Sequence, residues 1–323
     1  MSKNVLFVDG IADNLMVKML KVGKNETVFD VMGSCNLYAT LQSSLLTKEL
    51  LIFDADDNSA INLDNIDIIF NQLADFDGYT QVLKKVDVLA RVAKVPLLNL
   101  ATEIVKTTRD NVVQNLEDIV DLTVPLTLRV QPLTPQHIID IVQKSPLQYP
   151  LLIRECGSHG GAQIYKVDNE DAIKTLYAIA LDGRAYYMTQ YVDYADTKGL
   201  FQKTRLVVVD GEVYVRHSIV SNKWMIHASS REVAYHQREK AYLERFERDI
   251  KPTITPIIKN ICEKIKLDYF GIDCAIDEEG NILLFELNAN MNVLVKSNNY
   301  TDSYVETINS AVEAMILKRL HAL

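Results

Sequence analysis

Residues 268–290 read Asp-Tyr-Phe-Gly-Ile-Asp-Cys-Ala-Ile-Asp-Glu-Glu-Gly-Asn-Ile-Leu-Leu-Phe-Glu-Leu-Asn-Ala-Asn. Two alternating, apolar-rich runs, Gly271–Asp277 and Ile282–Asn288, flank the polar loop Glu278–Asn281, which contains a glycine. That is the signature of a β-hairpin. Side chains two apart on a strand share a face, so Glu286 and Asn288 point the same way. A four-residue loop pairs Asp277 with Ile282, Ala275 with Leu284 and Asp273 with Glu286. Two carboxylates opposed on a mostly apolar hairpin repel, and the sheet gains nothing from them. A divalent cation reverses that sign. Asp, Glu and an Asn amide are hard oxygen donors, the set that suits magnesium sharing its shell with nucleotide phosphates. The bland alternative is an acidic hairpin facing solvent.

Working outward, 323 residues leave room for two or three small domains. Apolar content of 48% with 24% charged residues is ordinary globular composition. A net charge of −9 argues against a general binder of nucleic acid or anionic membrane. An anionic nucleotide could still bind where cations gather in one cleft. Cys35, Cys156, Cys262 and Cys274 are far apart and form no CxxC pair, which suits a reduced cytoplasmic protein. No apolar run approaches the ~18 residues of a membrane span. The first residues read as a strand and turn, not as a signal peptide.

Up to about residue 105, strand-like and helix-like segments alternate: Val5–Val8, Leu50–Asp54, Ile66–Phe70, a helix over Gly78–Val95, then Pro96–Asn99. Alternation implies an open parallel α/β sheet with ligand-facing loops at the strand ends. Residues 106–188 read as a compact α+β unit. It has helices over Asp110–Ile119, Pro135–Lys144 and Asn169–Leu181, and strands over Val124–Val130, Tyr149–Glu155 and Ala162–Val167. From 189 to 323 antiparallel strands dominate, with Thr204–Val209 and Glu212–Ser221 joined by the Asp210-Gly211 turn and a further strand at Trp224–His227. Arg231–Arg248 is densely charged and reads as a solvated helix or lid. Isoleucines from Ile254 to Ile265 mark a buried helix face, and Tyr304–Leu320 is amphipathic.

A strand, a glycine-rich loop, an Arg-bearing strand and then Asp…Glu-x-Asn on a hairpin is similar to the order of parts in ATP-grasp enzymes. The resemblance is strongest to the branch holding glutathione synthetase and the ligases that add amino acids to ribosomal protein termini. The block Lys203-Thr204-Arg205-Leu206-Val207-Val208-Val209-Asp210-Gly211, with Val215-Arg216-His217 and Trp224-Met225-Ile226-His227, resembles ATP-grasp domains found fused to tetratricopeptide repeats. No such repeats are present in this sequence. The implied fold is ATP-grasp, α/β plus α+β, with an N-terminal open parallel pre-ATP-grasp domain.

The resemblance implies ATP binding, with Asp273, Glu286 and Asn288 holding one or two magnesium ions, or manganese in their place. Arg154 ends the strand whose last residue is normally a phosphate-binding lysine; a guanidinium still offers a fixed charge and a bidentate fork, though a surface ion pair with Glu155 is the competing reading. Gly157-Ser158-His159-Gly160-Gly161 resembles the mobile phosphate-covering loop, implicating Ser158, His159, Gly160 and Gly161. Lys106 or Arg109 would supply the first nucleotide-contacting cation, with Asn111 a third choice for that column. Gln190-Tyr191-Val192-Asp193 resembles the linker that reads the adenine edge. Lys203 and Arg205 would flank the acyl-phosphate centre as the catalytic cations.

The activity implied is ATP-dependent carboxylate–amine ligation through an acyl phosphate, on a small metabolite or a peptide, with neither nucleic acid nor membrane as a partner. Relatives are often homo-oligomers. The alternatives are a small-molecule kinase on the same scaffold and a nucleotide-binding adaptor without catalysis.

Overall fold

The computed structural model describes residues 2–321 except 23, 25–26, 31–35, 55, 57–60, 159–162, 175, 177–178, 228–230 and 297–299. The first sheet is parallel and runs Leu46–Phe53, Lys3–Gly10, Ile68–Asn71, Leu97–Leu98 in spatial order. Its strands are nearly continuous apolar runs because both faces are covered. The helix Thr80–Val92 packs Val82, Leu83, Val86 and Leu89 inward, as the 3.6-residue period requires. Gly10 is the point of closest approach, since any Cβ there would run into Val82. A two-stranded antiparallel ribbon, Lys18–Val22 with Thr27–Asp30, interrupts the α/β alternation and was not expected from the sequence.

The second sheet orders Tyr165–Val167, Leu151–Glu155, Tyr186–Gln190 and Thr127–Val130, all antiparallel. The helix Pro135–Lys144 begins where Thr134 accepts the His137 N–H and proline occupies the first turn. The helix expected over Asn169–Leu181 is present over Glu170–Lys174; residues 175, 177 and 178 lie outside the described set.

The third sheet orders Glu212–Ser221, Phe201–Val209, Tyr269–Ile276, Ile282–Asn288 and Leu122–Thr123. Leu122–Thr123 pairs in parallel with Ile282–Leu283, so the chain joins the third sheet before it enters the second. Asp273 does face Glu286, but not through a four-residue loop. Ile276 pairs with Ile282 around a loop one residue longer, and an unpaired Phe285 then restores the register.

Two hydrophobic clusters are shared by the first and third sheets, one through Leu6, Val82, Leu206 and the isoleucines of helix Lys251–Ile265, the other through Phe7, Phe70, Val207, Tyr269 and helix Asp302–His321. A third cluster belongs to the second sheet alone. Of the solvated helix or lid expected over Arg231–Arg248, the helix is present and is solvated on one face only. That helix, His236–Arg245, buries Glu239, Tyr242 and Leu243, and Phe246 follows in the next turn. Trp224–His227 forms no strand; the chain bends away after Ser221. No described helix is long and apolar enough to cross a membrane.

Candidate active site

A cleft of about 890 Å³ opens between the second and third sheets. Its charged lining is Arg109, Arg154, Lys203, Arg205 and Lys223 against Asp273 and Glu286. A chain of net charge −9 has therefore gathered five cations against two carboxylates in one hollow. Such a cavity concentrates anions.

The sheet register builds the charge pattern. Arg205 lies beside Asp273 on the neighbouring strand, and Lys203 projects from the same face two residues earlier. Arg205 Nε and Nη2 donate to Asp273 at 2.7 and 2.9 Å, and Lys203 Nζ donates at 3.0 Å. Asp273 is 3% exposed. Burial would raise its pKa, yet Arg205 and Lys203 hold the carboxyl below the usual carboxylate range. Arg205 in turn is held charged against burial by Asp273.

Glu286 meets Arg109 at 3.0 Å and accepts from Asn288 Nδ2 at 2.9 Å. Burial opposes its charge, while Arg109 and Arg154 bring its pKa down to about 2. The bulge at Phe285 turns that residue's carbonyl out of the ladder, where Arg109 Nη1 donates to it at 2.9 Å. Arg154 is 7% exposed and donates to the Ser158 hydroxyl and carbonyl. Burial and then the neighbouring Arg109 lower its pKa to about 10, still charged at neutrality.

The uncharged end of the cleft is lined by Val124, Leu152, Ile164 and Leu284 with the linker Gln190–Val192. Gln190 N–H donates to the Leu126 carbonyl and Tyr191 N–H to that of Pro150, which fixes the linker to the second sheet's edge. Lys166 sits 4.2 Å from the Tyr191 ring, and Trp224 meets that ring edge-on at 5.8 Å. An apolar slot beside backbone polar groups suits a planar heterocycle.

Arg109, Arg154, Gln190, Tyr191, Val192, Lys203, Arg205, Asp273, Glu286 and Asn288 thus line one cleft, and Ser158 lines a small recess adjoining it. Lys106 does not line it. Its ammonium is drawn to Glu103 and to the Lys264 carbonyl, at 3.0 Å from the latter, on the helix Lys251–Ile265. Arg109 takes the place in the cleft. Asn111 is also turned elsewhere, donating to the Val105 carbonyl. Asp193 is exposed outside the cleft and accepts the Ala195 N–H in a local turn. His159, Gly160 and Gly161 lie outside the described residues.

The donor set suits magnesium chemically, being two carboxylates and an amide on one face. Both Asp273 oxygens and both Glu286 oxygens are engaged by cations or by Asn288. Among the described residues no group of three or more His, Cys, Asp or Glu side chains converges as a metal site. A metal here would arrive with an anionic ligand that accepts the displaced cations.

Sequence reasoning missed a buried amide network beneath the site. Asn99, with φ +56°, donates to the Tyr269 and Ala289 carbonyls and to Asn290 Oδ1, and Asn71 donates to the Asn99 carbonyl. Asn290 then donates to the Leu73 carbonyl. The only signal was a run of asparagines at strand ends, which equally marks turns.

A family described as the RimK-like ATP-grasp domain matches residues 123–310. No curated protein sequence matches the chain. Among solved structures it is similar to D-alanyl-alanine synthetase A from Vibrio cholerae O1 biovar eltor str. N16961, at 13% identity and TM-score 0.58, over 99% of this chain and 98% of that one. D-alanine–D-alanine ligase from Bacillus anthracis aligns at 12% identity and TM-score 0.57 over 99% and 98%. The VanG D-Ala:D-Ser ligase from Enterococcus faecalis aligns at 12% and 0.54, over 99% and 100%. At these identities the likeness establishes the fold.

Proposed function

Since this chain belongs to the RimK-like ATP-grasp family, we propose that it is an ATP-dependent carboxylate–amine ligase working in the cytoplasm. The observation that carries the reading is the cleft itself, an apolar slot that continues into four clustered cations facing Asp273, Glu286 and Asn288. Adenine would occupy the slot beside Gln190–Val192. Arg109 and Arg154 would hold the phosphates, each able to offer two parallel N–H donors. Asp273, Glu286 and Asn288 would hold magnesium, which would supply positive charge to offset that of the phosphates. Lys203 and Arg205, now spent on Asp273, would be partly released toward the γ-phosphoryl group.

An oxygen of the substrate carboxylate attacks the γ-phosphorus, and the bond to the departing ADP breaks. The amine then attacks the acyl carbon, phosphate leaves, and the nitrogen gives up its proton. Phosphoryl transfer of this kind needs positioning and charge stabilisation, and no covalent nucleophile from the protein. Once partly released from Asp273, Lys203 and Arg205 would offset charge on the acyl phosphate.

A screen of acids and amines for phosphate release tests this reading. Release that requires both an acid and an amine supports ligation. A phosphate retained on the product identifies a kinase, and ADP binding with no turnover on any pair identifies an adaptor.

A further inference from the structure

Glu239 is a carboxylate that the proposed chemistry does not use, and it is 0% exposed. It stands on the helix His236–Arg245 behind the strand Glu212–Ser221, an edge strand of the third sheet. One carboxylate oxygen accepts the Val220 N–H at 3.0 Å. The other accepts the Tyr300 hydroxyl at 2.7 Å and lies 3.1 Å from Arg231 Nε. Those partners stand at the feet of two separate segments. Arg231 and Glu232 come ten and eleven residues after Ser221, and Glu232 receives the Ser221 hydroxyl at 3.0 Å. Tyr300 follows the segment that leaves the Glu286–Asn288 strand, and Arg216 binds that segment at the Val293 and Val295 carbonyls. The first loop supplies Lys223–His227 to the cleft and the second supplies Asn290–Asn292. A buried charge is expensive unless its partners are organised around it. Here those partners belong to the two segments that also carry Lys223–His227 and Asn290–Asn292.

We propose that Glu239 is a positioning residue: its carboxylate joins the feet of these two segments and sets the spacing of Trp224 against Asn290–Asn292. The proposal depends on the ligase reading only for what enters that end of the cleft, namely the acid and amine beyond the nucleotide.

Trp224 is the chain's only tryptophan, so its fluorescence reports the first loop directly. In full-length Glu239→Gln and Glu239→Ala, acrylamide quenching of Trp224 is expected to rise severalfold. With an acid–amine pair from the screen, KM for the acid should rise about tenfold, a loss of about 1.4 kcal/mol of uniform binding, with kcat nearly unchanged. Should Glu239→Ala not fold, Tyr300→Phe and Arg231→Lys must show the same rise in smaller measure. Unchanged quenching in the folded variants, whatever their melting temperature, overturns the proposal. Absence of turnover in the wild type counts against the ligase reading instead, and the quenching result still decides Glu239.

Discussion

Arg154 illustrates what one side chain decides. Its guanidinium is buried, tied to Ser158 and set beside Arg109, so two fixed forks stand at the charged end of the cleft. Arg154→Met removes a buried charge-assisted contact worth about 1.5–3 kcal/mol. Mg·ADP affinity, measured by titration calorimetry, should fall about ten- to hundredfold, whereas Arg154→Lys should retain most of it. The opposed carboxylates make a pH prediction. Burial resists their ionisation, but Arg205 and Lys203 depress the pKa of Asp273, and Arg109 and Arg154 depress that of Glu286 to about 2. Between the unfolded values near 4 and these lower folded values the unfolded chain binds more protons, so stability rises with pH there. Their contribution is full above about pH 4.5 and is lost as pH falls toward about 2. Urea midpoints from pH 5 to 2.5 should drop steeply in wild type and less so in Glu286→Gln; parallel curves would refute the assignment. The facing carboxylates were legible in the sequence because a hairpin pairs near neighbours. Arg109, Arg154, Lys203 and Arg205 were picked out as site cations, but their pairing with these carboxylates was not, because Arg109 lies far away in the chain and reaches Glu286 only when its helix meets the third sheet.

At the scale of elements, local signals served well where they were self-contained. The helix Pro135–Lys144 and the strand Glu212–Ser221 match their sequence-based bounds, the first through its Thr134 cap and the second through the Asp210-Gly211 turn. Trp224–His227 alternates like a strand but finds no ladder. Tyr194 donates its hydroxyl to the Trp224 carbonyl, and the Trp224 ring settles on Tyr191. Periodicity cannot report a missing partner strand. The 268–290 hairpin shows a subtler case, in which a longer loop and a bulge cancel and leave Asp273 opposite Glu286. Glycine holds that loop, since Gly280 has φ +91° and a Cβ there would lie 2.8 Å from Thr253 Oγ1. Gly280→Ala should cost about 1–2 kcal/mol in denaturant unfolding, because both the backbone and Thr253 resist it. Gly271→Ala should act differently. Its Cβ would collide with Met291, whose chain carries Asn290 and Asn292 into the cleft, so a loss of about 1–3 kcal/mol should come with weaker Mg·ADP binding.

The whole molecule divides unevenly. The first and third sheets share two hydrophobic clusters and form one body, while the second sheet keeps a core of its own. A polar contact helps fasten this second body above the cleft. Arg129 Nη1 donates to Asp77 at 2.7 Å and Nε to Asp110 at 2.8 Å; the Tyr187 hydroxyl also donates to Asp77. The Arg129 guanidinium lies 4.8 Å from the Tyr187 ring. Arg129 and Tyr187 belong to the second sheet, Asp77 to a loop after the first sheet's third strand, and Asp110 to the helix that carries Arg109. The contact therefore ties the body bearing Arg154 to the element bearing Arg109, the two cations proposed to share one polyphosphate. Apolar cores melt cooperatively and separately when only a few polar contacts couple them. Asp77→Ala leaves Arg129 with one carboxylate and the Tyr187 hydroxyl with none on the first body. In scanning calorimetry the variant should show the second body melting first, its transition lowered by roughly 5–10 °C, with the larger transition in place. If Mg·ADP binds as proposed, between Arg154 on one body and Glu286 and Asn288 on the other, it should draw the two transitions back together. A single transition at the wild-type temperature in the Asp77→Ala protein would mean that the bodies are coupled elsewhere, and that the Arg129 contact does not hold the cleft.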